Sequence, residues 1–200
     1  MATKRVLVIG GGVTGCAVAH DLTLRGLEVT VIERGELASG TTGRYSAFLH
    51  SGARYAVTDP EAANECITEN RILRKVMPPD MIEPDDGLFI LLKGDDPSYA
   101  DRWFQGCADA GIAAKEISPA EVARMEPLVT REISRAAITP DAVIEPLRFA
   151  LAFAATARVS GAHFLPYTEV QGILMDGDHV TGLRLKNRKS GELSSILYRR

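Results

Sequence analysis

Two hundred residues with 46% hydrophobic content suffice for one large domain or two small ones around a sizeable core. The 23 basic and 26 acidic side chains leave a net charge of -3 and are spread along the chain without a basic block, which excludes nucleic acid as a partner. Three cysteines, Cys16, Cys66 and Cys107, form no CxxC pair, which excludes a disulfide framework and a metal site and points to a reducing, cytoplasmic compartment.

Arg5–Ile9 is a continuous β-branched apolar run and predicts a strand buried on both faces of a parallel sheet. It is too short for a signal-peptide core, and no stretch of about 18 apolar residues follows, so the chain is not expected to span a membrane. Peripheral attachment through a partner polypeptide stays open. After Gly10-Gly11-Gly12, the small and apolar Val13, Ala17, Ala19, Leu22 and Leu24 predict a helix ending at Gly26. Glu28–Ile32 predicts a second buried strand, which closes a β-α-β unit at Glu33.

Residues 35–58 carry Gly35, Gly40, Gly43 and Gly52 among serines and threonines, a connection of a length usually reserved for function. Asp59-Pro60 predicts the start of a helix running to Lys75, stopped by Pro78-Pro79. A strand at Leu88–Leu92, a helix over 97–110, a short strand and a helix begun at Ser118-Pro119 read as an inserted second layer. A helix over 146–160 precedes strands at 163–165, 170–175 and 180–185, with hairpin turns at Asp176-Gly177-Asp178 and Lys189-Ser190-Gly191 leading to a fourth strand.

The spacing Gly10-x-Gly12-x-x-Gly15, set between a buried strand and a helix and followed by an acid at the end of the next strand, predicts a dinucleotide site. Gly10 turns the chain, Gly12 lets the backbone approach a pyrophosphate, and Gly15 lets helix and strand pack closely. The helix N-terminus faces the phosphates. Glu33 accepts hydrogen bonds from a ribose hydroxyl and would repel a 2'-phosphate. The glycines do not separate FAD from NAD.

Gly40-Thr-Thr-Gly-Arg44 followed by Leu49-His-Ser-Gly-Ala-Arg-Tyr-Ala-Val-Thr-Asp59 resembles the catalytic subunit of the anaerobic glycerol-3-phosphate dehydrogenase family. The resemblance continues through Glu65–Asn70, Asp86–Ile90, Glu126-Pro127 and Gly161-Ala162, and the wider group is the D-amino-acid-oxidase-like FAD enzymes. It implies an α/β fold with a Rossmann-like FAD-binding domain and an inserted α+β substrate layer. The segments expected are 1–84 for the β-α-β unit and flavin loop, 85–140 for the substrate layer, and 141–200 for the return with a β-meander. The chain stops at Tyr198-Arg-Arg200, where the family continues into a strand and an Ala-Gly turn. The expectation is a C-terminally truncated fold, inactive by itself.

By position, the resemblance implies that Gly10, Gly12 and Gly15 meet the FAD pyrophosphate, and Glu33 with Arg34 the ribose end. Thr42, Gly43 and Arg44 meet the middle of the cofactor, the backbone of Val170 the adenine, and His50, Ser51 and Gly52 the flavin ring. Arg54 and Tyr55 lie near the substrate phosphate. His50 is also the candidate catalytic base, with flavin contact the preferred role. Trp103 is expected to serve packing rather than recognition. Around Tyr45, Ser46 and Ala47 the chain departs from the family, which carries more polar residues or a glycine there. The implied reaction takes sn-glycerol 3-phosphate to dihydroxyacetone phosphate, with electrons passing to quinone through electron-transfer and membrane-anchoring subunits. The alternatives are an amino-acid or 2-hydroxy-acid oxidase of the same superfamily and a noncatalytic FAD-binding fragment.

Overall fold

The structure is a computed structural model and describes residues 4–83 and 86–197. Backbone proximity divides the chain into two units, one of Met1–Ser46 with Glu145–Arg200 and one of Ala47–Ile144. The segment boundary expected after residue 84 and the terminal Tyr198-Arg-Arg200 lie outside the described residues.

The first unit opens with strand β1 (Arg5–Ile9), helix α1 (Val13–Leu24) and strand β2 (Glu28–Ile32), at the predicted positions. The strands are parallel, with Val6 opposite Val29 and Val8 opposite Val31. Val29 and Val31 have no exposed surface, but Ile9 is 58% exposed. Burial on both faces is therefore right for β2 and wrong for β1, which is the edge of its sheet. Gly10 turns the chain at φ +107°, and a Cβ at Gly15 would stand 1.9 Å from the Gly10 carbonyl oxygen, so only glycine lets α1 start this close to β1.

The second unit holds β3 (Phe48–Leu49), α2 (Pro60–Val76), β4 (Ile82–Glu83), β5 (Gly87–Leu92), α3 (Pro97–Ala110), β6 (Lys115–Ile117), α4 (Pro119–Met125), β7 (Ile133–Thr139) and β8 (Ala142–Ile144). Its strands form two antiparallel sheets, ordered β5-β7-β6 and β3-β8-β4. The helices begin where side chains satisfy their first amides: Asp59 accepts from Ala62 N–H, Asp96 from Ser98 N–H, and Ser118 with Glu121 forms a capping box. The core gathers Ala53, Ala63, Ile67, Trp103 and Cys107. Trp103 is 6% exposed and donates its indole N–H to the Ala53 carbonyl at 2.8 Å.

The chain returns to the first unit with α5 (Pro146–Val159), β9 (His163–Leu165), β10 (Thr168–Asp176), β11 (His179–Asn187) and β12 (Leu193–Leu197). Strand β9 pairs in parallel with β2, giving the order β1-β2-β9, and β10-β11-β12 form the predicted meander, with β10 and β11 longer than expected. Ile32 of β2 packs with Leu183 and Leu185 of β11, so one strand serves both sheets of this unit. Among the described residues no helix is long and apolar enough to cross a membrane.

Trp103→Phe is expected to lower stability by about 0.5 to 1.5 kcal/mol, because it removes the indole hydrogen bond and leaves the Ala53 carbonyl with only the Ala56 N–H at 3.3 Å. Urea unfolding followed by circular dichroism measures it, and an unchanged midpoint would show that the indole hydrogen bond contributes nothing.

Candidate functional site

In the first unit an open cleft of about 760 Å³ is lined by Gly12, Glu33, Arg34, Thr42 and Arg44 of the predicted set, together with Tyr167 and Arg188. Glu33 organises it. One carboxylate oxygen accepts the Gly11 N–H at 2.7 Å, and the other accepts the Gly35 N–H at 2.7 Å. Each oxygen retains lone-pair capacity for a hydroxyl donor. Thr42 Oγ1 accepts the Val13 N–H at 3.0 Å and would lie 3.1 Å from a Cβ at Gly12. Helix α1 starts at Gly12 with no side-chain cap and no acid in its first turn. Apart from the Val13 N–H taken by Thr42, its first amides and its dipole are therefore open to an anion, and three guanidinium groups, Arg34, Arg44 and Arg188, share the lining. This donor set suits a pyrophosphate between two sugars, as FAD would present. Gly43 belongs to the short turn Thr41–Gly43. Val170 lies off the cleft, on β10 opposite Leu185 and packed toward Ile32.

In the second unit His50, Ser51 and Gly52 form one turn. Gly52 has φ +91°, and a Cβ there would stand 2.6 Å from the Ala63 carbonyl oxygen. Ser51 has no exposed surface: its N–H donates to the Asp141 carboxylate, and its hydroxyl accepts the Ala53 N–H at 3.4 Å. Asn70, 2% exposed, donates its side-chain amide to the carbonyls of Leu49 at 3.0 Å and His50 at 3.2 Å. Arg74 locks Asn70 in turn, donating to its Oδ1 at 2.8 Å and to the carbonyls of Pro140 and Asp141 at 3.1 and 2.9 Å. With Ser51 and Gly52 turned inward, His50 is the open member of the trio. Its side chain is 43% exposed and stacks on Phe48.

Arg54 follows in the next turn, Ala53–Tyr55, with its guanidinium over the Tyr55 ring at 5.2 Å. It opens onto a cavity of about 210 Å³ walled by Phe89, Tyr99, Trp103 and Phe104, with Arg135 at the same wall. Arg135 is paired with Glu116 and Asp101 at 2.6 Å each. Arg54 has no carboxylate partner among the described residues, so its charge is the uncompensated one.

The sequence pattern of proteins described as FAD dependent oxidoreductase matches residues 5–196. The chain belongs to that family. It is 42% identical over 191 residues to the A subunit of the anaerobic glycerol-3-phosphate dehydrogenase of Escherichia coli, covering 96% of this chain and 35% of that protein. It is 42% identical over 183 residues to the A1 subunit of the anaerobic enzyme of Haloferax volcanii, covering 92% of this chain and 31% of that one. Among solved structures, the L-proline dehydrogenase of P. horikoshii superposes with a TM-score of 0.79 at 30% identity, over 92% of this chain and 49% of that one. The chain thus spans about a third of the length of the curated relatives it matches.

Sequence reasoning missed Tyr167 and Arg188 in the cleft of this FAD-dependent family member. Tyr167 has φ +54° and donates its N–H to the Gly35 carbonyl at 3.1 Å; the Lys189 ammonium lies 3.4 Å from its ring centre, and its carbonyl accepts the Arg188 N–H at 2.7 Å. The available signal was position, since Tyr167 follows a parallel strand where ligand crevices of such sheets open. Asp141 carried no signal and Asn70 entered only within the resembling segment Glu65–Asn70, because their partners lie 90 and 21 residues away in sequence. Ala47, where the family's glycine or polar residues were expected, adopts φ +62°, a conformation that favours glycine.

Cys16 and Cys107 have no exposed surface, and burial pushes both thiols up to about 11, with the Glu33 carboxylate adding to the effect at Cys16. A raised thiol pKa means that the folded state holds its proton more tightly than the unfolded chain. The contribution of these thiols to stability is therefore intact below about pH 8.5 and is lost as pH rises toward 11. At pH 8 a disulfide reagent is expected to leave Cys16 and Cys107 unmodified until urea unfolds the protein. Rapid labelling of either in the native state would contradict their burial.

Proposed function

We propose that the protein carrying this chain oxidises sn-glycerol 3-phosphate to dihydroxyacetone phosphate in an FAD-dependent reaction and delivers the electrons, through partner subunits, to a quinone. The observation that carries the substrate assignment is Arg54, an exposed guanidinium without a carboxylate partner among the described residues, on a turn clamped by buried polar contacts. The 42% identical relatives are named as glycerol-3-phosphate dehydrogenases, which supports the reaction, and as subunits of that enzyme, which supports partner polypeptides.

FAD, when bound, supplies the acceptor for the hydride leaving C2 of the substrate. The chain's own residues do the rest. The turn Gly10–Gly15 and the N-terminus of α1 take the pyrophosphate, Glu33 takes a ribose hydroxyl, and Arg34, Thr42, Gly43 and Arg44 hold the centre of the dinucleotide. The resemblance assigns the adenine to the backbone of Val170, which lies on β10 outside the cleft lining. His50, left open by the inward packing of Ser51 and Gly52, would contact the flavin ring and, as the base, receive the hydroxyl proton as C2 is oxidised. Arg54, beside Tyr55, grips the substrate phosphate with two parallel charge-assisted hydrogen bonds, a geometry that lysine does not reproduce.

A second reading, oxidation of an amino acid, is favoured by the likeness to L-proline dehydrogenase, and Arg54 would then hold a carboxylate. The two are separated by anaerobic titration of the native-length flavoprotein. Glycerol 3-phosphate is expected to bleach the flavin absorbance and L-proline to leave it unchanged; the reverse result would replace the first reading by the second.

Gly12→Val is expected to abolish FAD retention, since its side chain fills the space needed by the pyrophosphate and crowds Thr42. Unchanged flavin occupancy would remove the cleft from the assignment.

Hydrogen bonds to charged groups contribute about 1.5 to 3 kcal/mol. Arg54→Ala is therefore expected to lower kcat/KM for glycerol 3-phosphate by about 10- to 150-fold at roughly 1.4 kcal/mol per decade. Any activity toward glycerol, which has no phosphate, should change little. Equal losses on both substrates in steady-state assays would mean that Arg54 supports the turn rather than the phosphate.

A further inference from the structure

We propose that Asp141 is a positioning residue for His50, holding the imidazole proton on Nδ1 and leaving Nε2 as the acceptor for the substrate's hydroxyl proton. The inference rests on the reading of His50 as the base.

Asp141 sits in the turn between β7 and β8 and is 5% exposed. A buried carboxylate persists only with partners. Its Oδ1 accepts the Ser51 N–H, and its Oδ2 lies 3.9 Å from His50 Nδ1. Among the described residues His50 is the one basic side chain within 4 Å of this carboxylate, because Arg74 directs its donors to the carbonyls of Pro140 and Asp141 and to Asn70. The carboxylate is also wedged: a Cβ at Gly87 would come 2.2 Å from Oδ2, so even a methyl group there would displace it. On the other side, Asn70 pins the carbonyls of Leu49 and His50, and the turn that carries His50 does not drift. The imidazole is 43% exposed, and closing its 3.9 Å approach to Oδ2 would form a hydrogen bond. Such bonds are commonly long without substrate and tighten in the reacting complex.

The two oxygens of Asp141 therefore have separate tasks. Because Ser51 N–H requires an acceptor, it reserves one oxygen, and the other is left for a donor on His50. In Asp141→Asn the amide oxygen stays with Ser51 N–H and the NH2 group faces Nδ1. A donor in that place makes Nδ1 the acceptor and moves the imidazole proton to Nε2. That is the wrong tautomer for a base, obtained in a side chain of the same shape.

The test uses the native-length protein labelled with 15N-histidine, with the His50 signals assigned as those lost in His50→Gln. Long-range proton–nitrogen correlation is expected to show Nδ1–H in the wild type and Nε2–H in Asp141→Asn. The same variant is expected to lose about 10²- to 10⁴-fold in kcat, the usual share of a positioned base, with KM for glycerol 3-phosphate little changed. Nε2–H in the wild type would overturn the proposal without recourse to any variant. So would an unchanged tautomer in Asp141→Asn, or a changed tautomer with unchanged kcat. A wild type that shows Nδ1–H yet does not oxidise glycerol 3-phosphate would remove the substrate assignment and leave the pairing of Asp141 with His50 standing.

Discussion

The carboxylate of Glu33 accepts the amide hydrogens of Gly11 and Gly35, and its own backbone is tied to the strand beside it, with Glu33 N–H donating to Leu165 and Thr168 N–H donating to Glu33. One residue thus joins the glycine turn after β1, the end of β2 and the exit from β9. The cleft of the first unit is located by that junction. Gly11 has no room for a side chain because Leu37 and Glu33 already occupy the space. The arrangement also sets the electrostatics. A lone anion at the mouth of a phosphate site would oppose the ligand, but here the acid is engaged by two amides, and the guanidinium groups of Arg34, Arg44 and Arg188 line the remainder.

The β-α-β unit was legible because local chemistry decides it. A β-branched run, three glycines at fixed spacing and a small-residue helix leave few other conformations for residues 5–33. The caps of α2 and α4 were legible for the same reason, as Asp59 and Ser118 act on amides three residues away. Strand β7 was not. Its sequence places Ala136 and Ala137 side by side, both buried, where alternation would put one of them outside. The strand is central to the β5-β7-β6 sheet, and partners on both sides override its weak pattern.

The candidate site divides along the same line. Glycines, Glu33, Thr42 and Arg54 announce themselves through motif and resemblance. The residues that hold them in place do not. Trp103 reaches Ala53 across 50 residues, and Ser51 reaches Asp141 across 90. Such contacts follow from the path of the chain, and a polar residue destined for a buried network looks in sequence like any polar residue in a loop. Asn70 is an example. It lies in the middle of an amphipathic helix that would be read as surface there, yet it is 2% exposed with its amide fully engaged.

Two arginines in the second unit show why the buried network matters to the chemistry. Arg135 and Arg54 line one cavity, yet Arg135 faces Glu116 and Asp101 and is held as a structural cation, its proton bound more firmly than in water by those hydrogen bonds. Arg54 stands on a turn whose backbone is fixed at Ala53 by Trp103 and at Gly52 by close packing on Ala63. With its support supplied by the backbone, its guanidinium needs no carboxylate to hold it in place. Of these two guanidinium groups the fold thereby leaves Arg54 without a carboxylate partner among the described residues, on a fixed backbone. An unpaired charge costs stability only when it is buried, and Arg54 is exposed, so the arrangement is tolerated in the folded protein while remaining available to an anionic ligand.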